Sequence, residues 1–229
     1  MEGGAARSVE VIAIDGPAGS GKSTTAQGVA RALGFTHVES GAWYRAAALL
    51  ALRRGLASES TVDGPAVAHA FETCLMEAAE ARGTCQIRLD GEDVSAALRS
   101  PEVAALVSRV AAEPAVRHVV TERLRSLAGG LGLVMDGRDI GSVVFPEARL
   151  KVFLDASVEE RARRRSAGDG RDVAPATLDR RDALDRGRAV APLAVAPDAE
   201  LIVADDLTLP QQVELVVRLY HEALTQRRA

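Results

Sequence analysis

Eight residues near the N-terminus, Gly16-Pro17-Ala18-Gly19-Ser20-Gly21-Lys22-Ser23, fit the pattern GxxxxGK[ST]. They stand between a short apolar run, Val9 to Ile14, and an amphipathic stretch opening at Lys22. Strand, glycine-rich turn, helix is the context that this pattern requires. The turn must sit at the carboxyl edge of a buried strand, with a helix N-terminus aimed at whatever the turn encloses. Such a concavity suits phosphate, because glycines let backbone N–H groups face inward and the helix adds partial positive charge. Lys22 would reach the β- and γ-phosphates of a nucleoside triphosphate, and the Ser23 hydroxyl would hold the magnesium that bridges them. Of the 28 basic residues only Lys22 and Lys151 are lysine, so a motif demanding lysine has few positions to use.

Other short runs without polar alternation, Leu131–Met135, Val152–Leu154 and Leu201–Ala204, read as strands covered on both faces. With helical patterns between them, the class is α/β: a P-loop NTPase-type parallel sheet flanked by helices. The clearest helix runs from Lys22 with Ala26, Val29, Ala30 and Leu33 on one stripe, and Gly34 stops it. The middle of the chain departs from this scheme. Cys85, Ile87 and Leu89 alternate with polar residues, and Asp90-Gly91 supplies a hairpin turn leading to Val94. Residues 43–81 and 101–127 read as helical around this antiparallel insertion. Ala167 to Pro175, rich in Gly, Asp and Pro, reads as a mobile loop between Arg-rich helices.

At 229 residues the chain suits one domain with insertions, long enough to bury a core without metal or disulfide staples. A net charge of −4 excludes a general footprint for nucleic acid or an anionic membrane, so any anion site is local. Cys74 and Cys85 form neither a CxxC nor a zinc pattern, and reduced thiols are expected. No run reaches transmembrane length, and the first apolar run is too short for a secretory segment. A cytoplasmic monomer is the expectation. His37, His69, His118 and His221 share no spacing with acidic or thiol ligands, and solvent or packing roles are expected for them.

A guanine-nucleotide switch would need Asn-Lys-x-Asp, and neither lysine lies in one. Glu39-Ser40-Gly41-Ala42-Trp43-Tyr44-Arg45 follows the expected second strand and offers a hydroxyl and a guanidinium to a second phosphate. Asp136 ends the run from Leu131, so its carboxylate would project where ligands bind in open α/β sheets. Organising magnesium or its waters fits that position; so does merely opening an Asp-Gly turn. Arg181, Asp185 and Arg188, four and seven apart, would share one helix face, either toward a ligand or as a surface ion-pair stripe. Arg161, Arg163, Arg164 and Arg165 form a basic run just before the Gly/Asp-rich loop.

Four separated segments, the phosphate turn, Glu39 to Arg45, Asp136-Gly137-Arg138-Asp139-Ile140-Gly141 and Arg188-Ala189-Val190-Ala191-Pro192-Leu193, resemble bacterial-type cytidylate kinase, a P-loop nucleoside monophosphate kinase. The resemblance covers nearly the whole chain. It implies an N-terminal tail (1–8), a core (9–40, 128–162 and 181–229), a monophosphate-binding lobe (41–127) and a short lid (163–180). ATP would be held by Gly16, Pro17, Ala18, Gly19, Ser20, Gly21, Lys22, Ser23 and Thr24. CMP would be held by Ser40, Tyr44, Arg45, Ser108, Arg117, Arg138, Asp139, Arg181, Asp185 and Arg188. Among these, Arg45 would hold the acceptor phosphate. Lys22, Arg138, Arg181 and Arg188 would be catalytic, and magnesium would lie on Ser23 and, through water, on Asp136. A carboxylate at Asp139 accepting from the cytosine 4-amino group would reject uracil, which offers a carbonyl there.

The activity so implied is transfer of the γ-phosphoryl group of magnesium-ATP to CMP, and to dCMP. Lobe and lid would close to exclude water. The rival readings are a P-loop kinase for another small acceptor and a nucleotide-binding switch without catalysis.

Overall fold

The computed structural model describes residues 10–58, 60–81, 84–129, 132–169 and 173–226. The chain divides into two compact units: Met1–Glu39, Arg125–Gly187 and Ala191–Ala229 form one, and Ser40–Leu124 with Arg188–Val190 form the other. The expected tail, and residues 170–172 of the expected loop, lie outside the described residues.

The first unit is built on β1 (Val11–Asp15), β2 (Thr36–Glu39), β6 (Leu133–Gly137), β7 (Leu150–Asp155) and β8 (Glu200–Val203). They form one all-parallel sheet in the order β2-β6-β1-β7-β8. The central strands are buried along their length, which is why their sequences run apolar without alternation. Helix α1 (Lys22–Leu33) follows β1 through the phosphate turn and ends at Gly34, and α8 (Leu209–Gln226) packs beside it. Ile12, Ile14, Val29, Val134, Leu154 and Val216 belong to the core these elements enclose. Phe35 meets Tyr220 edge-on at 5.6 Å between ring centroids. Helices α6 (Val158–Asp169) and α7 (Pro175–Arg186) complete this unit.

The second unit holds α2 (Ser40–Arg53), α3 (Gly64–Thr73), α4 (Pro101–Val110), α5 (Pro114–Ser126, whose last two residues fall in the first unit) and an antiparallel sheet of β3 (Met76–Ala81), β4 (Thr84–Leu89) and β5 (Glu92–Asp93). Asp90 and Gly91 take φ of 48° and 84°, the backbone a two-residue hairpin turn requires. Trp43 packs edge-on against Phe71 at 6.4 Å, and α2 packs on α3 and α4.

Four expectations need correction. The run Leu201–Ala204, expected to be covered on both faces, falls on β8 at the sheet edge, where Leu201 and Val203 are exposed because a strand with no neighbour on one side is left partly uncovered. Residues 76–81, Met-Glu-Ala-Ala-Glu-Ala, are a strand: Met76 pairs with Leu89 and Ala81 with Thr84, and this partner overrides a composition that favours helix. Helix α6 continues through Asp169 into the stretch read as loop, and the Val173 N–H donates to Ser166 Oγ just beyond it. Arg188 does not share a helix face with Arg181 and Asp185, because α7 stops at Arg186; the Gly187 N–H closes the helix on the Ala183 carbonyl.

Candidate active site

The phosphate turn connects the carboxyl end of β1 to the first turn of α1. Gly19 takes φ +81°, and a Cβ there would lie 2.8 Å from the Arg161 carbonyl oxygen, so both conformation and space require glycine. The turn is anchored from behind at Ala18. Its N–H donates to Asp182 Oδ1 (3.2 Å), and its carbonyl accepts from Arg161 Nη1 (3.1 Å). Arg161 and Asp182, both buried, are themselves ion-paired. Ser20 is fully buried, and Thr25 Oγ1 donates to Gln212 Oε1 on α8.

Parallel register sets Asp136 of β6 opposite Ile14 on one side and Glu39 on the other, so the carboxyl ends of three strands converge beside the turn. Ser23 Oγ donates to Asp136 Oδ2 at 2.6 Å, and His37 Nε2 lies 2.8 Å from Asp136 Oδ1. A carboxylate only accepts, so the His37 proton is on Nε2. His37, for which a solvent or packing role was expected, thus holds a carboxylate at the end of β6. Its spacing to Asp136 carries no signal, because the two meet only through the β2–β6 pairing.

Lys22 is buried with Nζ 3.1 Å from the Pro17 carbonyl. Burial, then the like charge of Arg138, pushes its pKa down to about 7, against the opposing pull of Asp136. Asp15 is pushed up to about 7, by burial first. The backbone N–H groups of Ile140 and Gly141, each 2.8 Å from its carboxylate, oppose that shift. These bonds tie the end of β1 to the π-helical turn Ile140–Val144 that follows Asp139.

Among the described residues no cluster of three or more His, Cys, Asp or Glu side chains could hold a metal. A hydroxyl against a buried carboxylate is nevertheless an all-oxygen seat. It fits magnesium, which takes one or two protein ligands and draws the rest from water and nucleotide phosphates.

Arg138 donates Nε–H to Asp185 Oδ2 (2.8 Å), and Arg181 is near enough to Lys22 to act on its charge. Asp139 is buried and acts electrostatically on Asp15. Lys22, Ser23, Asp136, Arg138, Arg181 and Asp185 are thus drawn together in the first unit. Of the basic run, Arg161 is buried behind the turn, Arg163 pairs with Glu160 in solvent, and Arg164 donates to the Ser20 carbonyl at 3.0 Å. A groove beside the turn is lined by Gly21, Thr24, Arg164, Leu207, Thr208 and Gln212. No local motif announces the last three.

In the second unit, Ser40 opens α2 directly after β2, with Tyr44 one turn on and Arg45 next to it. Ser40, Tyr44 and Arg117 are buried, and the Arg117 guanidinium lies 5.1 Å from the centre of the Tyr44 ring while donating to the Ala111 carbonyl. Ser108 is half-buried on α4, and Arg188 clusters with this unit rather than with Arg181.

A family model described as cytidylate kinase matches residues 12–222. A cytidylate kinase of Pelotomaculum thermopropionicum is 44% identical over 214 residues, covering 90% of this chain and 93% of that protein. One of Desulfitobacterium hafniense is 46% identical over 218 residues, covering 92% of each. A bifunctional pantoate ligase/cytidylate kinase of Synechocystis sp. is 45% identical over 220 residues, covering 92% of this chain and 42% of that longer protein. Similarity of this extent, over a chain whose phosphate turn, Ser23–Asp136 contact and parallel sheet have just been described, settles its kinship: the chain belongs to the cytidylate kinase family.

Proposed function

We infer that the chain transfers the γ-phosphoryl group of ATP to CMP, and to dCMP, releasing ADP and the corresponding diphosphate. The observation that carries this reading is the phosphate turn with Lys22 buried behind it and Ser23 on Asp136, in a chain of this family. Gly16 to Thr24 would bind the donor phosphates. The groove lined by Arg164, Thr208 and Gln212 would take the donor base. Ser40, Tyr44, Arg45, Ser108, Arg117, Arg138, Asp139, Arg181, Asp185 and Arg188 would bind CMP.

A phosphate oxygen of CMP attacks the γ-phosphorus, the bond from that phosphorus to the β-phosphate bridging oxygen breaks, and ADP departs with the electron pair. With a second pKa of about 6 the acceptor phosphate is already mostly dianionic at neutral pH, so no general base is required. Magnesium, held by Ser23 and through water by Asp136, would supply charge neutralisation across the donor phosphates. What the chain's own residues contribute is alignment and positive charge: Lys22 on the donor, Arg138, Arg181 and Arg188 around the moving group. Asp139 accepts from the 4-amino group of cytosine and selects against uracil.

Among the described residues no helix is long and apolar enough to cross a membrane, and we place the activity in the cytoplasm, carried out by a monomer. An ADP-coupled assay with ATP and a panel of monophosphates tests the reading. Turnover with CMP and dCMP well above that with UMP is expected. A rate with CMP equal to that of buffer alone would overturn it, whether ATP binds or not.

A further inference from the structure

Asp136 has both carboxylate oxygens engaged: Oδ2 by Ser23 Oγ at 2.6 Å and Oδ1 by His37 Nε2 at 2.8 Å. The first contact belongs to the donor seat; the second has no part in the reaction described above. His37 lies on β2 opposite Val134, two residues before Asp136 on the same side of the β6 backbone, and it reaches diagonally to the carboxylate. The Asp136 side chain is 2% exposed and that of His37 20%, so the bond is shielded while the ring keeps one edge in solvent.

We propose that His37 is a positioning residue that pins Oδ1 of Asp136, keeps Oδ2 turned to the Ser23 hydroxyl, and thereby sets the affinity of the donor site for its divalent cation. Without the ring donor, Oδ1 loses its 2.8 Å partner and the carboxylate turns more freely about its Cα–Cβ and Cβ–Cγ bonds, away from Ser23. A ring donor on a neighbouring strand removes that freedom before any ligand arrives. Partners that orient a ligating group in this way commonly change metal affinity 10–100-fold when removed. A purely structural His37 would instead change stability and leave cation affinity alone.

The inference rests on the reading of the phosphate turn as the ATP site, and the test separates the two. Mn2+ binding to the protein with ATP is followed by electron paramagnetic resonance, with ATP binding in EDTA and thermal melting alongside. In His37→Leu and His37→Phe, which have no donor, Mn2+ affinity should fall by about tenfold or more, with metal-free ATP binding within about twofold of the parent. His37→Gln, whose amide can reach the same oxygen, should recover affinity to within about threefold. Should His37→Leu fail to melt cooperatively, Phe and Gln carry the comparison.

Folded Leu or Phe variants that keep parental Mn2+ affinity overturn the proposal, as does a Gln variant that loses as much as they do. A parent that binds no Mn2+ with ATP overturns the donor-site reading and this proposal together.

Discussion

Arg138 donates its Nε–H to Oδ2 of Asp185 over 2.8 Å, linking the residue just after β6 to the last turn of α7, with the Asp185 side chain 2% exposed. Both residues belong to the proposed CMP-binding set, so this set is partly pre-assembled without nucleotide. Removing Asp185 takes away the carboxylate partner of Arg138 and leaves it the Gly137 carbonyl, at a cost of about 3 kcal/mol. Asp185→Ala is therefore expected to lower the melting temperature and raise KM for CMP, while KM for ATP changes little. Thermal denaturation and initial rates at varied CMP check both; an unchanged KM for CMP removes Asp185 from the acceptor site.

Behind the phosphate turn, Asp182 and Arg161 hold the N–H and the carbonyl of Ala18. Asp182 is fully buried. Asp182→Ala leaves the Arg161 charge buried without this partner and should cost about 3–5 kcal/mol in stability. Urea denaturation measures the loss, and ATP should restore part of it through mass action.

Asp15 carries a pH prediction. Its pKa in the folded chain is about 7, against 3.8 ordinarily, so the folded state holds this proton more tightly than the unfolded one. Its contribution to stability is present in full below about pH 4 and is lost as pH rises toward about 7. Relative to Asp15→Asn, which stays neutral, the parent should lose roughly 3 kcal/mol of unfolding free energy between about pH 5 and pH 8. Urea unfolding of both proteins at those pH values is the measurement; a constant difference would contradict it.

Lys22 is shifted the other way, down to about 7 from 10.5. Below its ordinary pKa it is a proton the folded chain holds too weakly, so stability gains from this group as pH climbs from about 7 to about 10. Phosphates bring negative charge to it, and ATP binding at about pH 8 should take up close to one proton. Calorimetry in buffers of different ionisation enthalpy reads that uptake, which Lys22→Ala should abolish along with turnover, by about 10³-fold or more.

Base choice is the role proposed for Asp139. Asp139→Ala should lower the preference for CMP over UMP by about 10²-fold, mainly through loss of CMP turnover. Parallel kcat/KM measurements decide; an unaltered ratio would place base selection elsewhere.

The class of fold was legible before any coordinates. Unbroken apolar runs pointed to strands covered on both faces, as β1 and β6 are, although β8 at the sheet edge leaves Leu201 and Val203 exposed; GxxxxGK[ST] between a strand and a helix stripe is a local pattern that adjacency records. The Asp90-Gly91 hairpin was legible for the same reason. Strand β3 was not, because Met76 to Ala81 has helix-forming composition and owes its conformation to a partner at Thr84–Leu89. The stripe drawn through Arg188 failed because spacing assumes a continuous helix, and Gly187 ends it.

The site divides along the same line. Residues within one turn, such as Lys22 and Ser23, can be read together by adjacency. His37 on Asp136, Asp182 on Ala18 and Asp15 on Ile140 are separated by 99, 164 and 125 residues. Those contacts depend on strand order and register and, for Asp182, on where α7 packs; they arise from the packing of the whole unit and leave no periodic trace in the residues that make them.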